Sequence, residues 1–348
     1  MRLSAKSALP VRLPAAWGLL VPLLLLFLPD LVPAKNLNSP TAESLISLAL
    51  PHAYRHEYED AHVALDRLIS EEPDNPAGYF FKGALWQLYM YDMGTDSLEY
   101  DFLWSMRYAQ EKAVAVLKDG ENARAHLYLG ATYAYRAIYY GWMGRYWDTY
   151  RWGVRVESEM ARAYALDSSL TDACLALGVS EYFRHIAGRY LTGLGVFGSY
   201  RRGVRLVNRA AEGGGYFAVT ASYALAWIMW NEKHGKEARA LLGDLLAEYP
   251  GNRLFRRMLR DACFAERAYA DALEIGIELD AELTVAQPDN TQVLTENCLV
   301  LAKSYLGIGD RVSAAVCCDR IIACEGRQDR VVNLKNYVRE ARAMRRSL

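Results

Sequence analysis

The sequence has almost no net charge and few of the motifs that would point to a specific chemistry. Its 40 basic residues balance 41 acidic ones. A chain with this balance has no overall field to attract nucleic acid or an anionic membrane, so we expect no nucleic-acid partner. It also has no nucleophile elbow, P-loop, Cys-x-x-Cys pair or paired carboxylates. We therefore expect a non-enzymatic protein with no cofactor and no metal.

Long apolar runs are also scarce, and the one that stands out lies near the start of the chain. Residues 15–28 are apolar, follow a basic start, and precede two small residues, Val32 and Ala34. This order is typical of a cleaved export signal. The run is shorter than the roughly 20 residues that a membrane-spanning helix needs. We expect residues 1–34 to be a signal peptide and the protein to be exported, either periplasmic or membrane-associated. An uncleaved membrane anchor is the alternative.

Cysteine makes up much less of this chain than of a small disulfide scaffold. The six cysteines are Cys174, Cys263, Cys298, Cys317, Cys318 and Cys324. Their spacing does not form a compact disulfide framework, and a long chain with its own core does not need one. We expect them to be small buried residues in helix seams. A bond from Cys298 to Cys317 or Cys318 is the alternative.

What the sequence does have is helical periodicity broken by short turns, with small residues at a regular interval. Gly83, Gly130, Gly178 and Ala226 follow one another at steps of 47 or 48 residues. Small residues at a fixed step allow paired helices to approach closely in each repeat. The spacing therefore predicts an array of helical hairpins, each burying one face against the next.

Two segments carry the residues of a known repeat. A first-helix pattern occurs in "AHLYLGATY" as Leu129, Gly130 and Tyr133. A second-helix pattern occurs in "GKEARALLGDLLAEYPGN". Its residues are Ala238, Leu242, Leu245 and Pro250. In these patterns the chain resembles the tetratricopeptide repeat (TPR) superfamily over roughly residues 42–328.

The resemblance implies an all-α fold, a right-handed superhelical TPR-like solenoid of antiparallel helix pairs. We expect residues 35–328 to form this domain with about seven helix pairs, and residues 329–348 to form a C-terminal capping helix. The middle repeats are longer than the usual 34 residues. We expect the extra residues to lengthen the helices and the inner loops.

Aromatic residues are abundant, with 24 Tyr and 8 Trp. In the fold that the chain resembles, the first helix of each pair lines a concave groove. The repeat register places eight candidate residues there: Tyr91, Tyr135, Tyr182, Phe183, Tyr223, Trp227, Trp230 and Asn231. Such a groove suits a protein or peptide partner. The alternative is that these rings fill the seams between long helices, because aromatic stripes at helical spacing are usually core.

A second functional hypothesis is a carrier or receptor for a small apolar ligand. In layout the chain is similar to periplasmic helical-repeat transport accessory proteins, such as the TRAP transporter T-component. That similarity implies association with a transport system. A protein-binding groove should be open, whereas a carrier should enclose a pocket.

Two further motifs have a structural and a functional interpretation. The segment "GLGVFG", 193–198, has the form of a dinucleotide fingerprint, but the residues before it look helical, so we interpret it as a loop. His52, His56 and His62 lie among carboxylates and could hold a zinc ion. Because the motif straddles the predicted turn between two helices, we interpret it as a polar turn.

Glu181 and His185 are four residues apart on one expected helix. Such a pair does acid–base work if it faces a pocket. We expect it instead to be a pair on the helix surface, which contributes a few tenths of a kcal/mol.

Overall fold

The computed structural model describes residues 36–192, 198–288, 290–326 and 334–348. These residues form fifteen α-helices and no β-strand. The helices are α1 Pro40–Tyr54, α2 Tyr58–Glu71, α3 Pro76–Met93, α4 Glu99–Lys118, α5 Ala123–Trp142, α6 Tyr146–Leu166, α7 Asp172–Thr192, α8 Tyr200–Glu212, α9 Ala218–Asn231, α10 Gly235–Glu248, α11 Arg253–Ala265, α12 Tyr269–Ala286, α13 Thr291–Gly307, α14 Arg311–Ile322 and α15 Leu334–Ser347. The expected all-α array of paired helices is confirmed, because each described helix packs mainly on the helices before and after it in the chain.

Polar side chains start many of the helices. The Asn75 Oδ1 accepts the Ala77 N–H at 3.0 Å, and Pro76 occupies the first turn of α3. The Asn122 Oδ1 caps α5 in the same way, by accepting the Ala125 N–H. Such caps satisfy amide groups that have no partner inside the helix. The turn signals of the sequence therefore fix where these helices begin.

Helix pairs meet at the small residues that the spacing singles out. A Cβ placed on Gly178 of α7 would lie 2.7 Å from the carbonyl oxygen of Gly203 on α8. A Cβ on Gly83 of α3 would lie 2.7 Å from the end of the Met106 side chain on α4. A side chain at Gly178 would therefore push the two helices apart, because its neighbour is backbone.

In the pair of α5 and α6, the extra length lies in the helices rather than in the loop between them. Helices α5 and α6 have 20 and 21 residues. Only residues 143–145 separate them. The expectation of lengthened inner loops is therefore wrong for this pair, because the aromatic run on either side of the turn continues the two helices.

The C-terminal helix α15 packs on α13 and α14. It buries Leu334, Val338 and Ala341 in a small cluster that also contains Cys317 and Cys318. Across the described ranges, no helix is both long enough and apolar enough to cross a membrane. The predicted signal peptide, 1–34, and residues 193–197 and 327–333 lie outside the described residues.

All six cysteines are unpaired in the structure, and five of them are buried. Burial raises the pKa of the Cys298 thiol to about 12. A thiol with such a pKa is uncharged at neutral pH and a poor nucleophile. The buried cysteines therefore act here as small core residues.

Candidate functional site

Three of the predicted groove residues come together inside the superhelix. Tyr91 on α3, Tyr135 on α5 and Tyr223 on α9 are partly buried, and each contacts another aromatic ring. Burial raises the pKa of Tyr223 to about 12. Burial also raises the pKa of Tyr91 far above its ordinary value, and the nearby Tyr135, Tyr139 and Tyr223 raise it further. We call Tyr91, Tyr135 and Tyr223 the inner cluster.

The end of the first helix packs across this interior. The Tyr54 hydroxyl is 3.0 Å from the Thr220 Oγ1 on α9. The Asn252 Nδ2 donates to the Tyr54 carbonyl at 2.8 Å, and the Tyr54 and Tyr249 rings lie 5.3 Å apart. A helix from the first repeat thus contacts residues more than 160 positions later in the chain. The arrangement differs from an open groove, because part of the chain itself occupies the inner side.

A buried ion pair holds this crossing in place. Asp92, at the end of α3, is almost fully buried. It accepts hydrogen bonds from the Arg253 Nε at 2.7 Å and from the Tyr58 hydroxyl at 2.9 Å. The Arg253 Nη2 also donates to it. Burial acts to raise the Asp92 pKa, but Arg253, His56 and Tyr58 outweigh it and hold the pKa below its usual value.

His56 lies beside the same carboxylate. Its Nδ1 is 3.6 Å from the Asp92 Oδ2, and its ring stacks on Tyr58 at 5.5 Å. Burial lowers the His56 pKa to about 4, so the ring is neutral at neutral pH. Its backbone has a φ of +64°, in the left-handed region that non-glycine residues rarely adopt. We call His56, Tyr58, Asp92 and Arg253 the Asp92 cluster.

A second polar network follows one turn along α11. The Arg257 Nη2 donates to both carboxylate oxygens of Glu296, at 2.8 and 3.0 Å. Arg260 is fully buried and donates to Glu296 and to Asp261. Burial acts to raise the Glu296 pKa, but the two arginines outweigh it and lower the pKa. The four residues therefore form two cations balanced by two acidic groups.

Between the inner cluster and this network lies a small cavity of about 180 Å³. Its walls come from α3 and α5 on one side and from α11 and α13 on the other. The principal lining residues are Tyr91, Trp142, Leu254, Arg257, Gln292 and Val293. The Tyr91 and Trp142 rings are 4.9 Å apart and meet at 72°. Two of the elements that build this space, α3 and α11, are also those that the Asp92 cluster joins.

The remaining predicted groove residues lie on α7 and α9. The Tyr182 side chain is fully buried, and its hydroxyl donates to Glu232 at 2.9 Å and accepts from Asn231. The Trp227 ring packs at right angles to it, 5.8 Å away. Tyr182 therefore supports the wall and offers no surface to a partner. The repeat register correctly predicted the helix on which Tyr182 lies. It did not predict that the side chain is buried, because the ring packs on the next helix pair.

Three more aromatic residues of the predicted groove lie on α7 and α9, and they differ in how far they are exposed. They are Phe183, Trp227 and Trp230. Phe183 is about half exposed, and its ring lies 5.8 Å from that of Trp227. Trp227 packs against two hydrophobic clusters, one of which also includes Trp230 and Tyr223. The Trp230 indole N–H is buried without a hydrogen-bond partner among the described residues. These tryptophans join neighbouring repeats, which is the alternative that the sequence left open.

A surface that the sequence did not single out lies on the outer side of α6. Tyr146, Trp147, Tyr150 and Val154 are 76%, 81%, 64% and 54% exposed. The Trp147 and Tyr150 rings lie 6.4 Å apart, edge to face. We call these four residues the α6 face. It is a concentration of large side chains that the chain leaves in solvent.

The signal for the α6 face was present in the helix periodicity. Trp152, Val156 and Met160 recur at steps of four and turn toward the core, where the latter two are buried. Tyr146, Tyr150 and Val154 also recur at steps of four, but they are displaced from that stripe by two residues. Residues that are displaced from each other by two positions lie on opposite sides of a helix. Comparing the two stripes would have predicted exposed aromatic residues.

Arginines flank the α6 face. Arg151 is exposed and lies 3.6 Å from Asp148, which also pairs with Arg145 at 2.7 Å. Arg155 is exposed and lies over the Trp152 ring at 5.1 Å from its centre. Two arginines thus share one partly exposed carboxylate, and a third lies over an aromatic ring. The region therefore combines aromatic surface with positive charge.

Glu181 and His185 do not form an acid–base pair in the structure. Glu181 is buried, accepts the Ser199 N–H at 3.0 Å and pairs with Arg184. Burial acts to raise the Glu181 pKa, but Arg184 and the Ser199 N–H outweigh it and lower the pKa. The carboxylate therefore connects α7 to the start of α8. The pairing partner is the arginine rather than the expected histidine.

The three N-terminal histidines go to three different partners. His52 lies 2.6 Å from Glu57, His56 lies beside Asp92, and His62 lies 3.1 Å from Asp66. Potential ligand atoms of His52, Glu57 and Asp60 do lie within 4.8 Å of one another at the surface. Within that group, the His52 Nδ1 and the Glu57 Oε2 contact each other directly. The histidines do not converge on a shared centre.

No protein-family model and no curated protein matches the sequence. Solved structures of repeat proteins are similar to the chain. The C-terminal part of a TPR repeat-containing protein from Cytophaga hutchinsonii is 13% identical, with 84% of this chain and 97% of that chain covered and a TM-score of 0.44. A tetratricopeptide repeat protein from Parabacteroides merdae is 13% identical, with coverages of 87% and 100% and a TM-score of 0.39. The P58(IPK) TPR domain is 12% identical, with coverages of 88% and 98% and a TM-score of 0.29. None of these similarities assigns a partner to this chain.

Proposed function

We propose that the protein is an exported, non-enzymatic scaffold that binds an acidic protein segment on the α6 face. The observation that carries the proposal is the exposure of Tyr146, Trp147 and Tyr150 on one side of α6. Tryptophan, tyrosine and arginine are the residue types that dominate the energetics of protein interfaces. Exposed apolar patches of this kind on a folded protein mark interaction sites.

The charge of the region favours an acidic partner. Arg145 and Arg151 share the single carboxylate of Asp148. No carboxylate in the described ranges forms an ion pair with Arg155, which stacks on Trp152 instead. A partner segment with carboxylates beside an apolar side chain would complement this surface, because opposite charges steer association and set orientation.

The inner side of the superhelix supports a peptide partner less well. The predicted groove needs Tyr91, Tyr135 and Tyr223 to face an open channel. Tyr54 crosses that side, and Asp92 pairs with Arg253 beside it. A peptide that entered there would have to displace these contacts. We therefore assign partner binding to the α6 face and not to the concave groove.

Export is part of the proposal and rests on the sequence of residues 1–34. The basic start, the apolar run and the small residues that follow have the order of a signal peptide. The non-enzymatic role rests on the sequence, which has no recognisable catalytic motif. Of the pair considered for acid–base work, Glu181 and His185, the Glu181 carboxylate pairs with Arg184.

The proposal can be tested by selecting a random displayed-peptide library on the purified protein. We expect the selected peptides to be rich in Asp and Glu next to an apolar residue. We expect the double variant W147A/Y150A to bind them more than tenfold more weakly, because truncating an interface hot spot costs about 2 kcal/mol or more.

The matched control is V285A/V312A, which removes two exposed apolar side chains, 84% and 77% exposed, on α12 and α14. It should bind the selected peptides as the unmodified protein does. Circular dichroism should show that both double variants keep their helix content. Equal binding by W147A/Y150A and the unmodified protein would show that the α6 face is not the docking site. Selected peptides without an acidic bias would contradict the proposed partner chemistry.

A further inference from the structure

Helix α8 carries positive charge that the rest of the helix does not balance. Its four arginines are all exposed, and Glu212 at the end of the helix is its only acidic residue. We call Arg201, Arg202, Arg205 and Arg209 the α8 row. Because the whole chain is close to neutral, the α8 row is a local excess of charge rather than part of an overall field.

The α8 row occupies one side of its helix. At about 3.6 residues per turn, the four side chains fall within about 100° of the helix circumference. Gly203, Val207 and Ala210 lie on the other side and are buried. These buried residues attach α8 to its neighbours, so the arginines are left to face the solvent.

No carboxylate in the described ranges forms an ion pair with the α8 row. Arg209 lies over the Tyr164 ring at 5.2 Å and donates to the Ser168 carbonyl at 3.5 Å. The other three side chains of the row make no hydrogen bond within the described part of the chain. On the preceding helix, by contrast, Arg184 pairs with Glu157. The α8 row therefore has guanidinium groups available for an anionic partner.

A groove of about 520 Å³ runs beside the C-terminal half of the row. It is lined by Thr171, Val204, Arg205, Asn208, Arg209, Glu212 and Gly213. Guanidinium groups bind carboxylates through paired hydrogen bonds. The Asn208 amide and the Thr171 hydroxyl can both donate and accept, as the peptide groups of a bound segment require.

The surface of α8 favours a protein partner over a membrane. Helix α8 is described in full, and it exposes no large apolar side chain. A helix that lies in a membrane interface buries an apolar face there, in addition to any basic residues. A groove also admits the side chains of a peptide, whereas a flat lipid surface would pass over it.

We propose that the α8 row is a second docking surface, which binds an acidic protein segment. Arg201, Arg205 and Arg209 are each four residues apart, about 6 Å along the helix axis. Alternate residues of an extended chain are about 7 Å apart. A segment with acidic residues at alternate positions can therefore meet successive arginines. The α8 row shares no residue with the α6 face, so either assignment can fail without the other.

The probe is a labelled peptide of alternating glutamate and serine, titrated with the full-length chain and followed by fluorescence anisotropy. We expect the variant R201Q/R202Q/R205Q to bind it roughly tenfold more weakly, because charge-assisted hydrogen bonds are lost. Arg209 is kept in this variant because it packs on Tyr164. A peptide with glutamine in place of glutamate should not bind.

The matched control is K335Q/R339Q/R346Q, which removes three exposed positive charges from α15. It changes the net charge by the same amount and should bind the probe as the unmodified protein does. Equal weakening by the two triple variants would overturn the proposal, because it would show that only overall charge matters. Circular dichroism should show that both keep their helix content.

Two further measurements separate this surface from other assignments. The variant W147A/Y150A should bind the probe with unchanged affinity; a loss would place the acidic segment on the α6 face and overturn the proposal. Vesicles that contain anionic lipid, and an oligonucleotide, should bind more weakly than the probe. Tighter binding of either one through the same three arginines would show that the partner is not a protein and would also overturn it.

Discussion

The inner cluster and the α6 face have the same kinds of residues in opposite environments. Tyr91, Tyr135 and Tyr223 lie in an interior where burial raises their pKa values. Tyr146 and Tyr150 lie on the outer side of α6 and are mostly in solvent. The inner rings pack on other rings of the chain, whereas the described part of the chain leaves the outer rings mostly uncovered. The number of aromatic residues therefore does not identify a binding surface. Whether an aromatic side chain is available to a partner depends on whether it is buried.

The largest expected effect comes from removing two rings that join repeats near the inner cluster. The double variant W227A/W230A should lose about 3–5 kcal/mol of stability in total, because both side chains are half-buried against core clusters. Thermal unfolding followed by circular dichroism measures this loss. A variant that keeps its midpoint would show that these rings lie on a free surface, as the predicted groove requires.

Next in size is the loss of the ion pair that closes the inner side. The variant D92N should destabilise the protein by about 3 kcal/mol, because it leaves Arg253 buried without its main counter-charge. The matched control is D148N beside the α6 face. It breaks exposed pairs with Arg145 and Arg151 and should cost less than about 1 kcal/mol. Urea titration of both variants makes the comparison; equal losses would contradict the difference between the two regions.

A pH dependence no larger than the D92N effect is expected at the contact of His56 with Asp92. The folded protein lowers the His56 pKa from 6.5 to about 4, so the unfolded chain takes up the proton first. Stability should therefore fall as pH decreases from 6.5 to 4, by up to about 3 kcal/mol, with this contribution fully present above pH 6.5. Urea titrations across this pH range measure it.

The variant H56N separates this contribution from that of the carboxylates. Asparagine does not titrate and tolerates the positive φ at this position better than most residues. Its stability should decrease less steeply between pH 6.5 and 4 than that of the unmodified protein. Parallel pH profiles for the two proteins would show that His56 is not the titrating group.

The fold was predictable from local signals. Asn75 and Asn122 mark helix starts, and Gly83 and Gly178 lie where paired helices touch. Helical periodicity and turn residues act over short stretches, so they can be interpreted without knowing the rest of the chain. The same local information placed the predicted groove residues on the first helices of their pairs.

The closure of the inner side was not predictable in this way. It depends on Tyr54 meeting Asn252, and on Asp92 meeting Arg253. These pairs are more than 160 residues apart, and they meet only because small rotations between successive repeats accumulate over the superhelix. The repeat register gives the face on which Tyr182 or Tyr223 lies. It does not give the curvature that decides whether that face is open.

The contact between the first helix and the repeats that follow α9 also affects how the chain folds. In a linear repeat array each unit depends on its neighbours alone, so unfolding spreads from the ends. Here the Asn252 side chain both caps α11, by accepting the Phe255 N–H, and donates to Tyr54 of the first hairpin. The first repeat therefore reaches full stability only after the sixth has formed. Folding becomes slower and more cooperative, since a distant contact must close before either end is secured.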